Sequence, residues 1–273
     1  MTGLARISMA RQCCLVIAGL FLASVLQAAE QSEMAAWNGF LRQHHFKDVA
    51  IVEDRSVIDL TTPYRAEDAA FTPVTIRAKF PQTAARYIQK IYVFVDDNPE
   101  PLAGVFTLTP DMGRADLALR VRVNQYTYVR AVAVLNNGEA HMVANYVKAQ
   151  GGCSAPLGSD FKAALAQMGT IKFRTIGEPA DEGARLGQLL LSHPNVTGMQ
   201  KDQKTQLVRP AHYVKTIQVW LDEKPVMTAE TGIAISEDPS FRFFFRSRPD
   251  GQLRAEFTDS QGMSWSHAFE VGG

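Results

Sequence analysis

From residue 70 onward, runs of β-branched and aromatic residues recur at a spacing of roughly eight to twelve positions, each closed by turn residues. Residues 71–80 alternate apolar and polar side chains, and 88–95 (IQKIYVFV) are rich in β-formers before Asp96-Asp97-Asn98-Pro99 ends the run. Segments 104–108, 116–123 and 126–135 follow, and Asn136-Asn137-Gly138 joins the last of these to 140–148 as a hairpin. A second series occupies 171–176, 186–192, 213–221, 225–230, 241–246, 253–259 and 265–271. Short strands at this spacing build antiparallel sandwiches. The expected architecture is therefore all-β, with two immunoglobulin-like antiparallel β-sandwich domains. Residues 29–149 form the first, 150–169 a cysteine-bearing arm and linker, and 170–273 the second.

Two details bear on packing. In 213–221 the positions Tyr213, Ile217, Val219 and Leu221 share a face with Lys215, which marks a sheet edge or a contact surface. Phe243-Phe244-Phe245 breaks alternation, which places these rings in the second core or near the contact between domains. Two short helices complete the chain. Met34, Trp37, Phe40 and Leu41 have helical spacing within 33–46, and a linker helix over 160–168 is capped by Ser159 and stopped by Gly169.

The N-terminus has the three parts of a secretory signal peptide, assigned to residues 1–28. Arg6 and Arg11 precede an apolar run over 13–26, and Gln27-Ala28-Ala29 offers cleavage near Ala28 or Ala29. The run is short for a membrane span. The expected destination is the periplasm, with no membrane attachment after cleavage. Cleavage removes two of the 28 basic residues and none of the 28 acidic ones, so the charge balance gives no footprint for nucleic acid. It also removes Cys13 and Cys14, leaving Cys153 alone in an oxidising compartment, where an odd thiol points to an intermolecular bond or a reactive group.

Cys153 follows Gly151 and Gly152 and precedes Ser154-Ala155-Pro156. This setting reads as a flexible, exposed arm between the two domains, with Cys153 outside either core. Lys148 and Lys162 are nearby in the chain, and no histidine adjoins to act as a base. Other chemistry is poorly represented. The sequence has no phosphate-binding glycine loop, no zinc-protease helix and no nucleophile elbow. His44-His45 reads as a solvated pair, and His193, His212 and His267 as histidines with ordinary hydrogen bonds. No catalytic residue and no metal site are assigned.

The first domain resembles SoxY, the sulfur-carrying subunit of the Sox sulfur-oxidising system. The likeness rests on Asn98-Pro99-Glu100-Pro101-Leu102, Phe106-Thr107-Leu108, Arg120-Val121-Arg122-Val123, Val129-Arg130-Ala131-Val132-Ala133 and the closing Gly151-Gly152-Cys153. The second is similar to SoxZ through Ser192-His193-Pro194, Thr197-Gly198, Lys201-Asp202, Pro210-Ala211-His212-Tyr213-Val214 and Ile235-Ser236-Glu237-Asp238-Pro239. The whole resembles the fused SoxYZ-like carriers associated with quinoprotein dehydrogenases. The resemblance implies a carrier in place of an enzyme, with Cys153 holding a sulfur species covalently, Gly151 and Gly152 as its flexible arm, and no cofactor. Its implied partners are periplasmic redox enzymes: c-type cytochromes, Sox enzymes or a quinoprotein dehydrogenase. The SoxY-like and SoxZ-like domains would pack on each other. The alternative is a noncovalent accessory module for such a dehydrogenase, with Cys153 incidental. In SoxY the arm ends the chain as Gly-Gly-Cys-Gly-Gly, whereas here it is tethered at both ends.

Overall fold

A computed structural model describes residues 36–157, 161–180, 183–202 and 204–271. The expected signal peptide and the Ser159 cap lie outside the described residues. The first compact unit ends at Asp48. Within it, a π-helical turn at Trp37–Leu41 runs on as α1 (Arg42–Phe46), where Phe40 and His44 stack and His44 meets His45 edge-on.

The second unit, Val49–Gly273, contains two sheets and a short linker helix, α2 (Phe161–Gln167). Among the described residues no helix is long and apolar enough to cross a membrane. The strands are β1 (Ile51–Glu53), β2 (Ile58–Thr61), β3 (Thr72–Ala78), β4 (Ile88–Val95), β5 (Leu102–Leu108), β6 (Leu117–Val121), β7 (Thr127–Leu135) and β8 (Ala140–Val147). They continue as β9 (Ile171–Ile176), β10 (Ala184–Leu191), β11 (Val214–Leu221), β12 (Lys224–Thr231), β13 (Ser240–Arg246), β14 (Gln252–Asp259) and β15 (Ser264–Glu270). The all-β reading holds, and the strands from β3 onward fall within a residue or two of the runs of β-forming residues. The short β1 and β2 precede the segments where strands are expected: β2 alternates over only four residues, and β1 is a parallel edge strand on β8.

The two sandwiches do more than touch. One sheet runs β1-β8-β7-β4-β5-β12-β11-β14-β15 and the other β2-β3-β6-β13-β10-β9, so both cross from the first half of the chain to the second. The joints are antiparallel ladders: Phe106 faces Ala229 across β5 and β12, and Leu117 faces Phe243 across β6 and β13. One apolar core fills the space between the sheets, and the Phe106 and Phe241 rings meet across the joint at 5.9 Å.

This continuity explains the two anomalous patterns. Phe241, Phe243 and Phe245 all point inward and are fully buried, so β13 does alternate. Phe244 is on the outer face, beneath the Arg114 guanidinium. β11 is hydrogen-bonded on both sides, to β12 and β14, so Lys215 does not mark an edge. A bulge between Val214 and Thr216 turns Lys215 outward, into a groove shared with Glu100, Tyr213 and Glu230.

Candidate functional site

The site lies where the two halves meet. β6 leads into Arg122 and Val123, whose backbone is fixed from three sides. The Arg122 N–H donates to Ala234 O (2.7 Å), the Val123 N–H to Ala69 O (2.8 Å), and Asn98 Nδ2 to Arg122 O (2.7 Å). Asn98 Oδ1 also accepts the Asn124 N–H at 2.8 Å. The Asp96-Asp97-Asn98-Pro99 turn thus clamps the segment that carries Arg122. Its first residue forms a separate buried ion pair with Arg130, 2.6 Å apart.

The cysteine segment lies on that platform. Gly151 N–H donates to Asn124 O (2.8 Å), Gly152 N–H to Val123 O (2.9 Å), and Ser154 N–H closes a turn onto Gly151 O (3.2 Å). From the second half of the chain, Thr197 Oγ1 donates to Cys153 O at 2.6 Å and Gln200 Nε2 to Ala155 O at 3.1 Å. Arg122 Nη1 donates to Gly152 O at 3.2 Å.

The expected exposed arm is corrected here. Cys153 is 1% exposed, in a turn docked against both halves of the chain. Gly152 serves contact and not mobility: a Cβ on it would lie 2.2 Å from Ala69 O and 2.7 Å from Val123 O. Gly151 differs, with φ +79° and open space where its side chain would be. Sequence reasoning mistook the pair because glycine serves both close approach and flexibility, and the sequence does not separate the two.

Burial pushes the Cys153 thiol up to about 11, against the opposing pull of the Arg122 guanidinium. At neutral pH the docked sulfur is a protonated thiol and a poor nucleophile. The cation that acts on it is Arg122, whose Nη1 is bonded to the preceding Gly152 carbonyl, and not Lys148 or Lys162, which are near it in sequence. Only its place in Arg120-Val121-Arg122-Val123 hinted at this, since a charged residue alternating into a strand end is a common surface pattern.

The wall facing the cysteine turn is built from the motifs of the second domain. His193 N–H donates to Asp238 Oδ1 (3.0 Å), and Asn195 Nδ2 donates to Ile235 O and Ser236 O. Asn195 Oδ1 accepts the Val214 N–H at 3.0 Å, and Gln200 Oε1 accepts the Thr197 N–H at 3.0 Å. These bonds order the 193–200 loop, and with it the Thr197 hydroxyl.

His193, His212 and Asp259 form a buried cluster behind this loop, with ligand-type atoms within 4.8 Å of one another. His212 Nε2 and Asp259 Oδ2 are 2.6 Å apart, and His193 Nε2 is 3.7 Å from the same oxygen. The geometry disfavours a metal, because His193 Nδ1 accepts the Asn195 N–H at 3.0 Å. The neutral ring then carries its proton on Nε2, the atom a metal would need. Burial and the neighbouring His212 lower His193 to about 4, keeping it neutral. Asp259 Oδ1 accepts the Gln261 and Met263 N–H groups, so the cluster ties β14 to the loop. His212 thus makes the hydrogen bond expected of it, whereas His193 accepts one at Nδ1 and its buried Nε2 has no hydrogen-bond partner. His267 is exposed and lies against Phe269.

Comparison with known proteins divides the chain at the same place. The family model of sulfur oxidation protein SoxY matches residues 42–153, and that of sulphur oxidation protein SoxZ matches 174–270. None of the curated proteins matches. Among solved structures, the sulfur carrier protein SoxY from Chlorobium limicola f thiosulfatophilum is 24% identical, over 44% of this chain and 98% of that one, with a TM-score of 0.36. A superoxide reductase (neelaredoxin) from Ignicoccus hospitalis is 15% identical over 34% of this chain and 79% of that one, with a TM-score of 0.30. A β-glycosidase from Bacteroides vulgatus is 8% identical over 85% of this chain and 26% of that one, with a TM-score of 0.25.

Proposed function

Because the chain is a fusion of a SoxY domain with a SoxZ domain, we propose that it is a periplasmic sulfur carrier whose Cys153 holds its cargo covalently. One observation carries the reading: the SoxY match ends on Cys153, where the first domain meets the second. The docked turn supplies a resting state. Its thiol is shielded and protonated, which protects a lone cysteine from adventitious oxidation. Presentation requires the turn to leave its platform, and Gly151 is the unobstructed hinge. Once in water the thiol returns toward the ordinary value of about 8.5, and its thiolate fraction rises.

Joining Sγ to a cargo sulfur forms one S–S bond, releases the thiol proton and removes two electrons. Those electrons pass to a partner redox enzyme of the c-type cytochrome class. The carrier supplies no base and no electron acceptor, and is itself acted upon. SoxY and SoxZ halves pack together in this chain through shared sheets, so Thr197 and Gln200 of the second half hold the turn of the first.

The burial of Cys153 favours a second reading, in which the protein is a noncovalent accessory of a quinoprotein dehydrogenase and the thiol is structural. Intact mass of the protein purified from its native periplasm separates the two. The carrier reading expects a reductant-labile adduct on Cys153. An unmodified chain, together with full complementation by Cys153→Ser, refutes it.

A further inference from the structure

Arg122 and Arg130 are both buried charges, but they are treated differently. Arg130 has Asp96 at 2.6 Å. Arg122 is 0% exposed, and no carboxylate among the described residues lies within ion-pair distance of it. Nη1 reaches Gly152 O, Nη2 reaches Asn195 O at 3.5 Å, and Nε has no partner. Glu237 and Asp68 act on the guanidinium only at longer range, and Cys153 is the other group that does. A guanidinium taken out of water without an adjacent counterion is costly. Here the clamp of Asn98 and the Ala234 backbone bond fix its main chain, and its Nη1 rests on Gly152 O, the residue before Cys153.

We infer that Arg122 is the recognition site for an oxyanion-terminated group borne on Cys153, such as a sulfonate joined through sulfur to Sγ. The inference rests on the carrier reading and deepens it. A planar guanidinium with an unused Nε–H and a weakly engaged Nη2 presents the paired donors that an oxyanion accepts. A docked turn bearing a charged group gains that contact, whereas a turn bearing a neutral group does not. Arg122 thereby distinguishes loaded from discharged carrier by charge, and favours docking of the former.

The test compares two adducts of nearly equal size. Cys153 of the full chain is alkylated in urea with iodoacetate or iodoacetamide, giving a carboxymethyl anion or a neutral carbamidomethyl group, and the protein is refolded by dilution. Peptide mapping verifies the modified residue. Steric cost is common to both adducts, so the difference in Tm isolates the charge. The carboxymethyl form is expected to melt higher by about 3 °C or more. Arg122→Gln should abolish that difference, and Arg122→Lys, which keeps the charge but loses the planar fork, should retain part of it. Equal melting of the two wild-type adducts, failure of both to refold, or a full difference in Arg122→Gln overturns the inference. If Arg122→Gln does not fold, a wild-type-sized difference in Arg122→Lys does the same. The adducts are made in vitro, so an unmodified chain from the periplasm would refute the carrier reading while leaving these melting temperatures standing.

Discussion

Gly152→Ala is the most direct probe of the docked turn. The new Cβ would sit 2.2 Å from Ala69 O, 2.6 Å from Ala69 C and 2.7 Å from Val123 O, all backbone atoms fixed in the platform. No rotamer change relieves such a clash, so the turn must lift. Lifting breaks the bonds from Gly151 N–H, Gly152 N–H, Arg122 Nη1 and Thr197 Oγ1. At about 1 kcal/mol net for each, docking is worth ~3–4 kcal/mol. Each ~1.4 kcal/mol is tenfold in the population of the open form, so the wild-type thiol is protected by roughly 100- to 1000-fold. Iodoacetamide labelling at pH 7.5, followed by intact mass, should be faster in Gly152→Ala by about that factor. It should approach the rate of an unstructured peptide thiol. Gly151→Ala is the control: its φ of +79° imposes strain of only about 1 kcal/mol with nothing to strike, so labelling should rise no more than about tenfold. Labelling of Gly152→Ala at the wild-type rate would show that the turn is not held by the contacts described.

Cys153→Ser is expected to cost about 1–3 kcal/mol in urea unfolding, because the hydroxyl replaces a buried thiol that has no strong hydrogen-bonding role; an unchanged midpoint would place Cys153 outside the core. His193 makes the fold acid-sensitive. Its folded pKa, about 4, is below the unfolded value near 6.5, so the unfolded state binds the extra proton and stability falls as pH drops through that window, by up to about 3 kcal/mol. His193→Gln should lose less stability than wild type between pH 7 and pH 4.5, and equal losses would remove His193 as the cause.

Most of the strands were legible because runs of β-branched and aromatic residues closed by turn residues mark them, and that signal placed β4 and β9 to the residue. What alternation does not report is which edges pair. Nothing in the β5 or β12 sequence says that Val105 will face Glu230 from the other half of the chain, so two separate sandwiches were the natural reading. The same limit applied at the site. Cys153 and the Gly151-Gly152 pair were identifiable as unusual, but their posture depends on carbonyls at Ala69 and Val123, some 80 and 30 residues away in sequence. Thr197 and Gln200 were missed as holders of the turn because their donors are ordinary polar side chains whose targets are set by the tertiary fold. Lys215 shows a smaller form of the same effect, since one inserted residue in a bulge reversed the meaning of its position.

The ladders that cross the junction, β5 on β12 and β6 on β13, also determine how the molecule comes apart. A boundary drawn in the sequence between the two families is not a mechanical boundary. Severing the chain between residues 158 and 170 would leave the ladders and the common core in place, so the cut halves should remain associated and melt in a single cooperative transition. Synthesised alone, either half would present two unpaired strand edges and an uncovered apolar flank, a surface prone to self-association. Fusion into one chain ensures that each such edge is made together with the edge that covers it.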